Sequence, residues 1–237
     1  MTIHSTYTET IPLTGYVTVN KTKKGTISKI KCDFYKLFWI FLIGSVVGFI
    51  VETIWCLIHN GSFECRSSMI IGPFTAVYGL GALVLYIGTK LFTGKNKILH
   101  IFIFGTVSGT VVEYLCSLFQ EMFCGSVSWD YTGQLFNIGG RVCLLYSVFW
   151  GLLSILWFIA VQSAFEKLIS KIPARIYKQL TIWLAVFMVL DILVSIVAVT
   201  RWGMRIDGIP AGNILASTID KLFPNEFMSA IYPNMLW

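Results

Sequence analysis

Five apolar runs of about 20 residues constrain the fold of this chain more than any other feature. They lie at roughly 37–58, 70–92, 98–119, 142–163 and 180–200. At a rise of about 1.5 Å per residue, a helix made from each run is long enough to cross the ~30 Å hydrocarbon core of a bilayer. We therefore expect an all-α polytopic membrane protein with five transmembrane helices.

The composition and the flanking segments support this interpretation. Of the 237 residues, 56% are hydrophobic and only 13% are charged, which is too apolar for an ordinary soluble domain. The first run is too long for a removable signal peptide. We expect a polar cytoplasmic tail (1–36), a transmembrane domain (37–200) and an extracytoplasmic tail (201–237). In that last tail, helical spacing predicts a short interfacial helix with the apolar residues Leu215, Ile219, Leu222 and Phe223.

The distribution of lysine and arginine predicts the orientation. The N-terminal tail and the loops at 90–97 and 164–178 hold 13 of these residues, and the opposite side holds five. By the positive-inside rule, the N-terminus is cytoplasmic and the C-terminus is extracytoplasmic. The net charge of +6 then lies against the acidic inner leaflet of a lipid bilayer. Because no separate basic domain exists, we expect no nucleic-acid partner.

An internal repeat links the first and third runs. Residues 43–58 (IGSVVGFIVETIWCLI) and 104–119 (FGTVSGTVVEYLCSLF) match in pattern at a constant offset of 61 residues. The offset pairs Gly44 with Gly105, Gly48 with Gly109, and Glu52 with Glu113. In each copy a loop, an arginine (Arg66 or Arg141) and the next apolar run follow. This order predicts two tandem, parallel helix hairpins related by a pseudo-two-fold axis along the membrane normal, plus a fifth helix.

The repeated glycines predict where helices meet. Gly44 and Gly48 are spaced by four residues, as are Gly105 and Gly109, so each pair lies on one helix face. Small residues at this spacing allow helix backbones to approach closely in a membrane. We therefore expect the first and third helices to cross at these glycines, with the two glutamates facing each other.

The repeated glutamates are the main candidate functional residues. An ionisable side chain at membrane depth is costly when it faces lipid, so Glu52 and Glu113 should face protein or water, pair with a cation, or hold a proton. We expect them to cluster with Arg66 and Arg141 in the outer half of the bundle. The cluster can line a solute path, simply hold the hairpins together, or supply a general base for catalysis. The first two interpretations stay open, because the sequence offers no nucleophile or metal site for the third.

The loop WDYTGQLFNIGGR at 129–141 is a second candidate region. Asp130, Asn137 and Arg141 could bind a polar solute that enters from outside. Trp129 and Tyr131 also fit the aromatic belt that lies at membrane interfaces, and the sequence leaves both interpretations open.

The remaining polar or helix-breaking positions are isolated. Asp191 lies near the middle of the fifth run, where it could pair with Arg201, belong to a proton pathway, or serve only packing and capping. Gly72 and Pro73 fall within the second run, so a kink or break is expected in that helix.

The common catalytic motifs are absent from the sequence. The stretch GTKLFTGKN at 88–96 resembles a P-loop, but five residues rather than four separate its glycines, and Asn96 replaces the required Ser or Thr. The chain has no H-E-x-x-H or G-x-S-x-G motif, and its three histidines are scattered. We expect no enzymatic activity, no cofactor and no metal site. Cys65 and Cys124 fall in loops on one side, and the sequence leaves their pairing open.

Four motifs occur in order along the chain: G-x-x-x-G-x-x-x-E-T, R-x-x-x-x-x-G-P-x-x-x-V-Y-G-x-G, W-D-Y-x-x-x-x-F-N-x-x-G-R-V-C-L-x-Y-S-x-x-W-G, and Y-P-N-M. In these motifs the chain resembles the bacterial family of ABC-transporter type IV permeases, the CmpB-like group, from about residue 36 to the end. The resemblance implies a permease subunit in the bacterial cell membrane.

The resemblance and the repeat together define the functional hypotheses. The first is a permease with a solute path at the interface of the two hairpins, and its small size implies a separate ATPase subunit or a homo-oligomer. The alternative is a non-transporting membrane scaffold or sensor in which the buried Glu and Arg residues are structural.

Overall fold

A computed structural model describes residues 33–237. Five of the six lysines of the predicted N-terminal tail therefore lie outside the described residues. The described chain is helical, and its helices are α1 (Phe34–Asn60), α2 (Ala76–Leu91), α3 (Lys97–Cys124), α4 (Leu144–Ser170), α5 (Ala174–Ile206), α6 (Ile214–Leu222) and α7 (Asn225–Ile231). The last turn of α2 is a 3₁₀ turn, and α4 contains a π-helical turn at Trp157–Val161.

Four of the helices are long and apolar enough to cross a membrane: α1, α3, α4 and α5. They correspond to the predicted runs at 37–58, 98–119, 142–163 and 180–200. At most 33% of the residues in their most apolar windows are buried within the protein, so large apolar faces remain for lipid. The predicted class, an all-helical membrane protein, is confirmed.

The run at 70–92 differs from the prediction because it becomes helical only at Ala76. The φ angle of Gly72 is +91°, and Pro73 has no backbone N–H to donate, so a helix cannot pass through this pair. The break therefore precedes α2 instead of kinking it. As a result α2 has an axial length of only about 24 Å, and the chain reaches it through residues 61–75, which we call the descending segment.

The descending segment enters the bundle deeply before α2 begins. Thr75 N donates to the carbonyl of Ser45 at 3.0 Å. Ser45 lies 15 residues before the end of α1, which is about 22 Å along the helix axis. The helices α1, α3 and α5 all finish at the same end of the bundle, which we call the loop end. The descending segment thus carries non-helical backbone from the loop end to the level of Ser45.

The repeated glycines pack within each hairpin. A Cβ atom at Gly44 would overlap Ala82 of α2, and one at Gly48 would overlap the Tyr78 ring. In the same way, the glycines of α3 lie against α4, with Gly105 on Ser154 and Gly109 on Trp150. The predicted crossing of α1 and α3 at these residues is wrong, because each glycine face is occupied by the next helix in the chain. Contacts between α2 and α3 join the two hairpins, and α5 packs against α1 and α3.

The C-terminal tail folds onto the loop end. Met228 of α7 is fully buried in a core with Tyr232 and Trp202. Leu236 exchanges two backbone hydrogen bonds with Val127, of 2.8 and 2.9 Å. The predicted short helix is α6, in which Ile219 and the following Phe223 pack on this core while Leu215 and Leu222 are exposed. Cys65 and Cys124 are both free thiols.

Candidate functional site

The first repeated acid forms the ion pair that the sequence predicts. Arg66 Nε donates to Glu52 Oε2 at 3.1 Å, and each side chain is 24% exposed. The descending segment positions the arginine, because Thr75 Oγ1 donates to the Arg66 carbonyl at 2.7 Å. This hydrogen bond holds residues 66 and 75 of the segment close together. Glu52 lies eight residues before the end of α1, so the pair is held about 12 Å below the loop end.

The second repeated acid has different partners. Glu113 is 7% exposed, and its two oxygens accept hydrogen bonds from Tyr131 OH and Trp150 Nε1, both at 3.1 Å. Both donors are neutral groups. Among residues 33–237, no lysine, arginine or histidine forms a salt bridge with Glu113. The two copies of the repeat therefore differ in the partners of the acid, since Glu52 has a cation and Glu113 has two neutral donors.

Arg141 pairs with Glu121 rather than with Glu113. It also donates to Ser117 Oγ at 3.2 Å, so it contacts α3 one and two turns closer to the loop end than Glu113. The loop fold explains this placement, since Trp129 Nε1 donates to the Arg141 carbonyl at 2.9 Å. The predicted cluster of two glutamates with two arginines is therefore only half formed.

The polar side chains of the 129–141 loop hold the loop itself. Asp130 Oδ1 accepts from Thr132 N at 2.9 Å, and the hydrogen bonds from Thr132 lower the pKa of this exposed carboxyl. Asn137 Nδ2 donates to two loop carbonyls at 3.0 Å, and its Oδ1 accepts from Gly140 N at 3.3 Å. Asp130 Oδ1 and the Asn137 amide, in side chains predicted for solute binding, thus form hydrogen bonds within the loop.

Tyr131 connects this loop to the buried acid. Its ring stacks on Tyr146 of α4 at a centroid distance of 4.6 Å, and its hydroxyl reaches down to Glu113. Burial, together with the nearby Glu113 carboxyl, raises the pKa of the Tyr131 hydroxyl. It therefore keeps its proton at physiological pH and acts as a hydrogen-bond donor.

Two aromatic rings meet where the hairpins join. Trp150 of α4 lies over Gly109 of α3 and also over Gly81 of α2, so its indole is shared between the two hairpins. Its ring centroid is 5.9 Å from that of Tyr78, which lies over Gly48 one turn before Glu52. We call the set that surrounds this contact the junction; it consists of Glu52, Arg66, Tyr78, Glu113, Tyr131 and Trp150.

Tyr78 and Trp150 were not among the candidate site residues that the sequence predicted, although both belong to its motifs. The signal was present, because each aromatic residue directly precedes a glycine, as Tyr78-Gly79 and Trp150-Gly151. These glycines also occupy matching positions, since Gly79 lies against Ser45 and Gly151 against Thr106. An aromatic residue followed by glycine at corresponding positions of both copies could have identified the junction.

Asp191 lies apart from the junction, on α5. Only 2% of it is exposed, and its Oδ1 accepts a hydrogen bond from Ile71 N at 3.1 Å. Of the three possibilities for Asp191, the pairing with Arg201 is not formed, because Arg201 lies about 15 Å further along α5. Arg201 instead binds Asp220 of α6 with two hydrogen bonds of 2.9 Å.

Asp220 anchors the C-terminal tail. Arg205 joins Arg201 on this carboxylate, and it also donates to Asn225 Oδ1 at 2.8 Å. The hydrogen bond from Arg201 is the main cause that lowers the pKa of Asp220. Within the part of the chain that the structure describes, no group of three or more His, Cys, Asp or Glu residues could hold a metal ion.

Comparison with known proteins gives a family but no individual relative. A family model described as "Putative ABC-transporter type IV" matches residues 39–196, about two thirds of the chain. No curated protein and no solved structure matches significantly. The matched range contains every junction residue, the descending segment and Asp191. The chain therefore belongs to the ABC-transporter type IV family and is a membrane-embedded member of it.

Proposed function

We propose that this protein is the permease subunit of a transporter in the cell membrane, with its solute path between the α1–α2 and α3–α4 hairpins. The family match and the four helices of spanning length support a membrane component of a transport system. The path is assigned to the junction because ionisable residues inside a membrane protein usually mark a substrate or ion pathway.

The matching contacts of the two hairpins support a shared architecture. Tyr78 covers Gly48 as Trp150 covers Gly109, and Ala82 meets Gly44 as Ser154 meets Gly105. Such correspondence is expected if α1–α2 and α3–α4 are parallel copies of one unit, with α2 as a fifth, shortened crossing. Transporters built from structural repeats commonly bind substrate at the interface between the copies.

The state of Glu113 is the observation that carries the proposal. A purely structural acid at this depth is best neutralised by a cation, as Glu52 is by Arg66. Within the described part of the chain, the donors to Glu113 are a phenol and an indole, and both can exchange their hydrogen bonds for a passing polar solute. Glu52 is therefore held in an ion pair, whereas Glu113 is available to a solute.

The proposal requires additional protein. Five crossings form a small bundle for a complete path, and the chain lacks a P-loop, so a separate ATPase subunit or a second copy completes the transporter. The excess of lysine and arginine places the end opposite the loop end in the cytoplasm. The connections between α2 and α3 and between α4 and α5 lie at that end, where an ATPase can dock.

The experiment that tests this proposal is purification of the intact complex. The protein, tagged at its N-terminus and expressed in its native host, is extracted in mild detergent, and co-purifying proteins are identified and quantified by mass spectrometry. The proposal predicts a P-loop ATPase in fixed stoichiometry, or a stable homo-oligomer that moves a solute in vesicles. Recovery of a monomer without ATPase and without transport contradicts it.

A scaffold or sensor is the second candidate, and the Glu52–Arg66 ion pair is the observation that favours it. The pair links α1 to the descending segment, as a purely structural contact would. The double variant Glu52→Gln/Glu113→Gln separates the two functions. A permease should still accumulate in the membrane but fail to complement a deletion strain, whereas a scaffold should first lose thermal stability and abundance. Glu121→Gln, on the exposed end of α3, is the matched control.

A further inference from the structure

The surroundings of Asp191 contain two buried polar atoms that have no hydrogen-bond partner within residues 33–237. Asp191 Oδ1 accepts from Ile71 N, but Oδ2 has no hydrogen-bond partner among the described residues. The hydroxyl of Tyr232, in a side chain that is 7% exposed, also lacks a partner. Tyr232 and Ile70 belong to one buried core, and the phenol faces Ser195 and Asp191. An acid and a phenol thus lie near each other, and each has an oxygen without a hydrogen-bond partner among the described residues.

The site also contains backbone that is not helical. Ile70 N donates to Ser195 Oγ at 2.9 Å, next to the bond from Ile71 N to Asp191. These two bonds attach the descending segment to the middle of α5. Irregular backbone at such depth persists only where protein groups satisfy it, and Asp191 and Ser195 supply that function. Asp191 thus holds the segment through Oδ1, and Oδ2 is not needed for that role.

Among residues 33–237, no lysine, arginine or histidine forms a salt bridge with Asp191. The arginine closest in sequence, Arg201, is bound to Asp220, and Arg66 is bound to Glu52. The titratable groups that face the site are the phenol of Tyr232 and, around it, the thiols of Cys65 and Cys124, none of which carries a positive charge. An ionised carboxylate in this position would be buried without any counter-charge, which is unfavourable in a membrane interior.

We propose that Asp191 is a proton-binding site, which holds its proton on Oδ2 at neutral pH. The assignment follows from the pattern of partners, since a neutral acid needs no counter-charge and its Oδ1 still accepts from Ile71 N. When the proton leaves, the charged carboxylate binds the Ile71 N–H more strongly. Proton occupancy at Asp191 thus sets how tightly the descending segment is held, and that segment carries Arg66 to Glu52.

Reaction with a hydrophobic carbodiimide tests this site directly. Dicyclohexylcarbodiimide modifies carboxyl groups that are protonated in an apolar environment, and peptide mass spectrometry locates the modified residue. The purified full-length protein in lipid nanodiscs is treated from about pH 5 to about pH 9, a range in which an ordinary aspartate is ionised. We expect Asp191 to be modified near neutral pH, with a rate that falls about tenfold per pH unit once its proton is lost.

The experiment uses the wild-type protein, so its result does not depend on the folding of a variant. Asp220, which is paired with two arginines, is the internal control and should stay unmodified. Absence of modification at Asp191 at every pH overturns the proposal. Because the measurement requires neither transport nor a partner, its failure is distinguishable from failure of the proposed function.

Discussion

Trp150 donates a hydrogen bond from Nε1 to Glu113 Oε2 at 3.1 Å, and this single contact links α4 to the buried acid of α3. The same indole lies against Gly81 and Tyr78 of the other hairpin. Movement of one hairpin relative to the other must therefore change the surroundings of Glu113. This coupling between packing and an ionisable group is what a solute path between the hairpins requires.

Removal of the indole N–H should destabilise the junction. Trp150→Phe keeps an aromatic ring over Gly109 but leaves one oxygen of Glu113 without its donor. Loss of a hydrogen bond to a buried polar group costs about 1–3 kcal/mol, so the unfolding temperature in detergent should fall. Trp55→Phe is the control, because Trp55 is 63% exposed on the lipid-facing side of α1. Equal unfolding temperatures for the two variants would show that the bond contributes nothing.

The two arginines should respond differently to substitution. Arg66→Gln leaves Glu52 partly buried without a cation, and we expect a loss of about 1–3 kcal/mol, less than for a fully buried pair because each side chain is 24% exposed. Arg141→Gln should have a smaller effect, since its partner Glu121 is half exposed. Thermal unfolding of Arg66→Gln, Glu52→Gln and the double variant measures the coupling. A double variant whose loss equals the sum of the single losses would refute the pairing.

The close contact at Gly109 predicts a steric effect. A methyl group at this position would overlap the Cβ and ring of Trp150, which are too close to its backbone to move freely. Gly109→Ala should therefore destabilise the protein by about 1–3 kcal/mol through overpacking. Gly133→Ala serves as the control, because no atom lies within 4 Å of the added group. If Gly109→Ala is as stable as Gly133→Ala, α3 and α4 do not pack closely enough at Gly109 for a methyl group to overlap Trp150.

The attachment of the C-terminal tail should depend on pH. Hydrogen bonds from Arg201 and Arg205 lower the pKa of Asp220 in the folded state. The resulting stabilisation is present above the unfolded value of about 3.9 and is lost as the pH falls through the lower folded value. The protection of amides in α6 and α7, measured relative to the intrinsic exchange rate at each pH, should therefore fall at acidic pH. Asp220→Asn should exchange faster already at pH 7, and a variant tail as well protected as the wild type at that pH would count against the anchor.

The sequence predicted the parts of this fold that depend on composition and local spacing. Length and apolarity located four spanning helices, and the four-residue spacing placed Gly44, Gly48 and Glu52 on one face. Periodicity identifies such a face but not the neighbour that covers it, so α1 was expected against α3 and packs against α2 instead.

The candidate site was less predictable because its key contacts join distant residues through irregular backbone. The bond from Ile71 N to Asp191 spans 120 positions and depends on a break at Gly72 and Pro73. Arg141 follows the repeat pattern in sequence, but the fold of its loop directs it to Glu121. Both outcomes depend on backbone dihedral angles in segments that have no periodicity.

The most direct test of the account is the accessibility of position 113 to a charged reagent. Glu113→Cys is compared with Val111→Cys, which lies two residues away on α3 but is 50% exposed on its lipid-facing side. Both are made in a background without native cysteines, and intact cells and permeabilised cells are treated with a membrane-impermeant methanethiosulfonate reagent. A water-accessible path between the hairpins predicts that the cysteine at 113 reacts and the one at 111 does not. If the cysteine at 113 stays unreactive from both sides, no solute path passes Glu113.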